Sequence, residues 1–455
     1  MKRALLLGAL LGVAYTLSPL TVIGCGALAV VVLRAARDLS PRERQWFLGA
    51  MTLALALRLA AIAGLFLFAD PARPYANFFG DEELFKSETV WLRNVGYGVS
   101  MSPADVIYVF DEVGRSSYVY VLAYIQALAG DAPYGNNVLN VAVYLTAIAI
   151  SYRYMRGIYG RVTALAGAVI LLFVPSLFSW SISVLKEPSY ILVAALELIC
   201  AAEIVRAPTL PRRILALIGV LSLAAILGSL RSGGTELAIA GTAVGVTAGL
   251  IVTRPRLAWA SLVVLPLAIG VAMVQPTVQQ RLSKALGDTA FLHWGHVATP
   301  GLSYKLLDTR FYVGDDRTAV YTMNAAEMAR YTIRAAAAFA SAPRPWEIES
   351  RSALAYLPEQ AFWYVVLALT PFGVIAGLSR APVVTCVLLS HGLVASAMVA
   401  LTSGNIGTLI RHRGLTLPYF TWLAAFGAFR LIEWWASRAS RQSLFLTPGS
   451  IHDAR

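Results

Sequence analysis

Apolar residues run along this chain in long uninterrupted blocks, without the alternation of a half-buried strand or the single stripe of a soluble helix. Blocks of about 18 residues or more predict membrane-spanning helices. They fall at 4–33, 46–68, 138–155, 161–184, 188–205, 213–230, 235–253, 257–275, 361–379, 382–403 and 415–435. The pattern predicts an all-α polytopic membrane protein with about 11–12 transmembrane helices. The first block opens like a signal peptide, with Lys2 and Arg3 ahead of Leu, Ala and Gly, but lacks a small-residue cleavage site. It reads as an uncleaved helix kinked near Pro19. The block 118–129 is too short to cross easily and reads as a re-entrant or interfacial segment.

Basic residues sort the connections. Arg34, Arg37, Arg42 and Arg44 form one cluster, Arg153, Arg156 and Arg161 a second, and Arg206, Arg212 and Arg213 a third. Arg254 and Arg256, then Arg380, then Arg438 and Arg441 complete the set, so every second connection is short and basic and is expected in the cytoplasm. The N-terminus is then expected outside. The opposite set (69–117, the Lys186-Glu187 turn, 231–234, 276–360 and 404–414) is expected to face outward. Segment 69–117 carries eight acidic residues, among them Asp70, Asp81, Glu82, Glu83, Asp111 and Glu112, against four basic ones, as suits an outer loop with interfacial helices. The chain then divides into four regions. Residues 1–275 form the first half of a transmembrane core and 276–360 an external cap loop with a helical stretch at 322–341. Residues 361–435 complete the core, and 436–455 are a cytoplasmic tail.

Composition agrees: 58% of the residues are hydrophobic and 14% charged, too few charges for a water-facing surface of this length. The net charge of +12 is therefore read as topology and not as a nucleic-acid footprint. Cys25, Cys200 and Cys386 lie inside apolar runs and read as packing residues.

No P-loop, dinucleotide fingerprint, HExxH or GxSxG motif is present, which leaves four outer features. In Phe79-Gly80-Asp81-Glu82-Glu83 a carboxylate suits a general base, and the pair Asp81 and Glu82 is also a candidate ligand set for a divalent cation (magnesium or manganese); the alternative is a solvated acidic loop. The neighbours Phe78, Phe79, Leu84 and Phe85 suggest that this stretch lies on the membrane surface. In Leu185-Lys186-Glu187-Pro188 the proline suits a helix start, so Lys186 and Glu187 sit where a phosphate is favoured, or the lysine simply snorkels. Arg231 opens the tight turn Arg231-Ser232-Gly233-Gly234, and its guanidinium suits phosphate. In Asn405 to Arg413, two arginines and His412 oppose the inward bias of positive charge. Arg58 inside a span calls for a partner, and Glu197 is the natural intramembrane one. His293 and His296, three apart, are further acid–base candidates, with no third ligand for a metal.

The order of these features resembles the GT-C superfamily of membrane glycosyltransferases, which includes protein O-mannosyltransferases and lipid A aminoarabinose transferases. The stretch from Gly135 to Pro188 is similar to family-39-type and exopolysaccharide-assembly membrane proteins, with a Tyr/Arg/Gly turn, a span holding an internal proline and a closing acidic residue; Asn405 to Pro418 is similar too. The resemblance covers about 46–205 and 400–420. It implies a GT-C-like fold and transfer of a sugar from a polyprenyl-phosphate donor to a glycan, lipid or protein acceptor, at the outer face of a bacterial or archaeal cytoplasmic membrane. Asp81 would be the base with Glu82 beside it, and Lys186, Arg411 and Arg413 would hold the donor phosphate. The long loop 276–360 is better matched by polymerases and ligases of O-antigen type, for which Arg231, His293, His296 and Arg411 would matter and Asp81 would be expendable. A flippase or other transporter is a third reading, disfavoured because few charges are intramembrane while most unusual residues sit at one rim.

Overall fold

The computed structural model describes residues 18–68, 80–109, 116–130, 133–299, 302–314, 316–347, 354 and 356–445. Lys2, Arg3, Asp70, Phe78, Phe79, Asp111, Glu112 and the end of the tail lie outside the described residues. Among those described, the chain is helical, and Ser303 and Asn405 form an isolated β-bridge. The protein is a multi-pass membrane protein: eight helices are long and apolar enough to cross a bilayer, and two bent helix pairs raise the number to as many as ten.

The helices are α1 (Pro19–Ala35), α2 (Pro41–Phe68), α3 (Gly80–Gly96), α4 (Pro103–Val109), α5 (Ser117–Ala129), α6 (Pro133–Tyr159), α7 (Arg161–Phe173), α8 (Pro175–Ile182) and α9 (Glu187–Arg206). There follow α10 (Leu210–Leu230), α11 (Gly234–Val252), α12 (Pro255–Val274), α13 (Pro276–Val297), α14 (Ala325–Ser341), α15 (Leu357–Arg380), α16 (Pro382–Thr402), α17 (Ile406–Arg413) and α18 (Leu417–Phe445). The first expected span is described only from Ser18, and α1 begins at Pro19. Prolines stand at or next to the first position of many of these helices, where the missing N–H costs nothing.

Without water to drive apolar faces together, spans associate where small residues let backbones approach. Gly241, Gly245 and Gly249 line α11 at four-residue spacing against α16. A methyl group added to Gly245 or Gly249 would lie 2.6 Å or 2.8 Å from the α carbons of Val387 and Val383, so no larger residue fits. By contrast, none of the α12 side chains is buried, as expected of a helix surrounded by lipid.

The connections expected to be basic do gather at one end. Arg153 donates to the carbonyl of Arg37 at 2.7 Å and pairs with Asp38 at 3.1 Å, Arg156 pairs with Glu43, and Arg380 donates to the Ile158 carbonyl. Helix α5 does not cross. Ser116 at its start donates to Leu230 at the end of α10, and the Tyr118 hydroxyl accepts from Asn140 near the start of α6 at 2.9 Å. Both α5 and α6 thus begin at the end opposite the basic one.

The expected pairing of Arg58 with Glu197 is not made. Helices α7 and α8 meet at 61°, where Pro175 interrupts the span. A broken helix inside a membrane is tolerated only where neighbours take up the freed backbone groups. The Leu171 carbonyl accepts from the Tyr144 hydroxyl, the Leu172 carbonyl from Arg58 at 2.9 Å, and the Ser176 N–H donates to Glu359 at 3.1 Å. Arg58 also donates to Ser181 at 2.7 Å and stacks on Phe178, so it caps the break. Glu197 instead faces His391 at 3.0 Å and accepts from Thr242 at 2.6 Å. We expect Arg58→Met to destabilise the protein by about 1–3 kcal/mol. In a double-mutant cycle read by thermal unfolding, Arg58→Met and Glu197→Gln should add within about 0.5 kcal/mol. Strong coupling between them would restore the original pairing.

The described residues between 276 and 347 are tied to one another and to the 382–402 helix. Helix α13 and helix α14 both pack on α16. Asn324 and Glu327 cap α14 reciprocally, Arg310 pairs with Glu327, and Arg330 and Arg334 both reach Asp308. The helix expected at 322–341 is α14; α13 was not expected as a continuous helix.

Candidate functional site at one rim

Four of the features singled out in the sequence meet at the end opposite the basic one. Asp81 stands in the first turn of α3, Lys186 and Glu187 at the start of α9, Arg231 in the α10–α11 turn, and Arg411 and His412 on α17. The Arg411 guanidinium donates to Asp81 and lies 3.3 Å from Glu187 Oε1. Glu187 Oε1 is also 3.7 Å from Arg231, which in turn donates to His412 Nε2 at 2.8 Å. Residues separated by more than 300 positions thus form one chain of contacts. The Lys186 ammonium lies 5.7 Å from the centre of the Phe85 ring, beside the same cluster.

Local geometry explains the convergence. Gly233 adopts a left-handed φ of +83° that lets the α10–α11 turn close on itself and holds Arg231 at the rim. Asn405 caps α17 by accepting from the Gly407 N–H at 2.8 Å, and the Gly404 carbonyl accepts from the Tyr304 N–H. Successive residues on a helix point about 100° apart. Arg411 therefore turns toward Asp81 and Glu187, His412 toward Arg231, and Arg413 away from both.

That third direction corrects the expectation for Arg413. It is buried, and it donates to the carbonyls of Phe339 and Ala342 at 2.7 Å each and to Gln360 at 2.6 Å. Its guanidinium fastens the end of α14 to the body of the protein and does not share the Arg411 cluster. Glu82 is corrected in the same way. It is fully buried and takes Lys86 at 3.0 Å, Asn137 at 3.1 Å and the Val184 N–H at 3.0 Å, bracing α3 against the turn before α9. Asp81 and Glu82 point apart, and both are engaged by cationic or N–H donors, so the pair does not fit a divalent cation. Among the described residues no group of three or more His, Cys, Asp or Glu is arranged to hold one.

Next to the cluster is a cavity of about 210 Å³. Its lining is mixed, with Arg231, His296 and His412 among the polar residues and Leu237, Met398 and Val399 among the apolar ones. The His296 and His412 rings are 6.4 Å apart. His296 uses Nδ1 on the Thr402 carbonyl at 2.7 Å, which leaves Nε2 as an acceptor without a hydrogen-bond partner among the described residues. This histidine was only a minor candidate in the sequence.

His293 is structural. Its Nδ1 donates to the Ser403 carbonyl at 2.7 Å and its Nε2 accepts from the Tyr312 hydroxyl at 2.9 Å and the Leu306 N–H at 3.3 Å. Burial, the largest influence, pushes its pKa down to about 4, and a ring with both nitrogens occupied has no place for a second proton. The unfolded chain takes up that proton near pH 6.5, whereas the folded one does so only near 4, so stability falls as pH drops through this window. The interval corresponds to about 3 kcal/mol. Protection of the 302–314 amides, taken relative to the intrinsic exchange rate at each pH, should therefore fall between pH 7 and pH 4, and His293→Gln should flatten that dependence. Equal pH dependence in the variant would remove His293 as its cause.

No family model matches this chain, and neither does any curated protein or solved structure.

Proposed function

We propose that the chain is an integral-membrane glycosyltransferase that moves a sugar from a polyprenyl-phosphate donor to a glycan, lipid or protein acceptor. The reading rests on one observation above all: two carboxylates, two guanidiniums and two imidazoles from separate stretches meet at one rim, at a cavity lined by both polar and apolar side chains. A lipid-linked sugar phosphate has the same duality, anionic at the head and apolar along the tail. The positive-inside rule puts the basic end in the cytoplasm and this rim on the outer face, where the lipid carrier supplies an already activated sugar.

In this reading the Asp81 carboxylate accepts the proton of the acceptor hydroxyl. The hydroxyl oxygen then bonds to the anomeric carbon, and the bond from that carbon to the phosphate oxygen breaks with its electron pair going to the phosphate. Arg411, Arg231 and Lys186 stabilise the charge that develops there, and guanidiniums already held in place by Glu187 and His412 do so without reorganising. A phosphate on Arg411 takes the place of Asp81 as its partner and frees the carboxylate to act as a base.

A second reading is favoured by the lining of the cavity, which presents Arg231, His296 and His412. There the protein joins whole glycans, as a polymerase or ligase, and His296 Nε2 takes the proton. The two are separated in proteoliposomes supplied with labelled polyprenyl-linked sugars and glycans. Under the first reading Asp81→Asn stops label transfer and His296→Ala lowers it less than about tenfold, since a lost general base costs about 10²–10⁴-fold; the reverse order supports the second. Full activity in both variants overturns both.

A further inference from the structure

A second, larger cavity of about 650 Å³ opens at the basic end, between α1, α6 and α9. Helices α1 and α9 both pack along α6, and the groove between them has α6 as its floor. Three arginines border it, one from each helix: Arg34, Arg153 and Arg206. All three helices run toward this end, so lower residue numbers lie deeper. In each, the apolar lining residue precedes the arginine by one or two turns: Val31 before Arg34, Ile150 before Arg153 and Ile199 before Arg206. The groove is thus layered, cationic at the rim and apolar beneath.

Basic residues in a last helical turn complement the helix dipole, and that accounts for their presence but not for an open groove between them. Two of the three are partly neutralised: Arg153 by Asp38 at 3.1 Å and Arg206 by Glu203 at 3.4 Å. Among the described residues the Arg34 guanidinium has no ion pair. The groove therefore keeps a net positive charge. At its floor stands Gly157, where an added methyl group would meet nothing within 4 Å. The absence of a side chain there keeps the groove open.

We propose that this groove binds one anionic phospholipid, with the phosphate of its headgroup on Arg34 and Arg206 and an acyl chain along Val31, Ile150 and Ile199. The charge is of the right sign for the anionic headgroups of a cytoplasmic leaflet, and the step from cation to hydrocarbon matches the headgroup–acyl boundary. The site is at the opposite end from the rim cluster and holds whichever reading of that cluster is correct.

The test uses the full chain, purified and delipidated in detergent, with native mass spectrometry counting bound lipid. The probes are dioleoyl phosphatidylglycerol, dioleoyl phosphatidylcholine and the soluble headgroup fragment glycerol 1-phosphate. Wild type should retain one phosphatidylglycerol and prefer it to phosphatidylcholine about tenfold. Gly157→Leu, which fills the groove while improving helix propensity, should lose that lipid and remain monodisperse. Arg34→Gln, an exposed position, should weaken it about fivefold and serves as the deciding variant if Gly157→Leu fails to fold. Unchanged phosphatidylglycerol binding in Gly157→Leu, or in Arg34→Gln when it decides, overturns the proposal. So does equal binding of phosphatidylcholine, or displacement of the lipid by glycerol 1-phosphate, which would make the site one for a free anion.

Discussion

Arg411→Met is expected to lower transfer by about 10²–10³-fold, the usual cost of deleting one donor that faces developing charge. It should also destabilise the protein. Glu187 has only 2% of its side chain exposed, and without Arg411 its remaining cation among the described residues is Arg231 at 3.7 Å. Removing one partner from a buried ion pair costs about 3–5 kcal/mol, because the other charge stays buried. The two effects can be separated. Adding Glu187→Gln to Arg411→Met removes the stranded charge and should recover most of the thermal stability without recovering transfer. If the double variant regains transfer as well, Arg411 acts only by keeping Glu187 in place, and its role as an anion clamp is lost.

Asp81→Asn should be the opposite case, inactive but stable. The Asp81 side chain is 56% exposed, so its pairing with Arg411 is screened by water and contributes little to the fold. Losing a general base costs about 10²–10⁴-fold in rate. The expected result is a protein with wild-type unfolding temperature and a loss of that order in label transfer, across the whole accessible pH range. Near-normal transfer would move the proton-accepting role to His296 and with it favour the glycan-joining reading.

Much of this arrangement is legible in the sequence, for physical reasons. Runs of apolar residues mark spans because the bilayer requires length, and arginine marks one end because basic loops stay behind during insertion. Together these placed Asp81, Lys186, Arg231 and Arg411 at one rim without any contact being known. The directions of neighbouring side chains were not legible. Asp81 and Glu82 look equivalent in sequence, yet with the helix beginning at Gly80 one faces Arg411 and the other is driven into the interior. Arg411 and Arg413 differ for the same reason: one helix turn aims them at different neighbours.

Charge counting also misled. It offered Glu197 to Arg58 because both are intramembrane, but the group that most needed a donor was a carbonyl freed by Pro175. Backbone groups carry no formal charge, so they are invisible to a search for ion pairs. The signal was nevertheless present as a proline inside an apolar run. His391 was overlooked as well, although a histidine within the apolar run 382–403 is as costly as Glu197 and turned out to be its partner.

The most direct measurement is the affinity of the purified protein for polyprenyl phosphate, by native mass spectrometry or calorimetry in lipid nanodiscs, before and after Arg231→Met and Arg411→Met. If the rim cluster clamps a lipid-borne phosphate, each substitution should weaken binding at least about tenfold, as expected for a charge-assisted contact, while Arg34→Gln at the far end leaves it unchanged. Equal affinity in wild type and both rim variants would contradict the account.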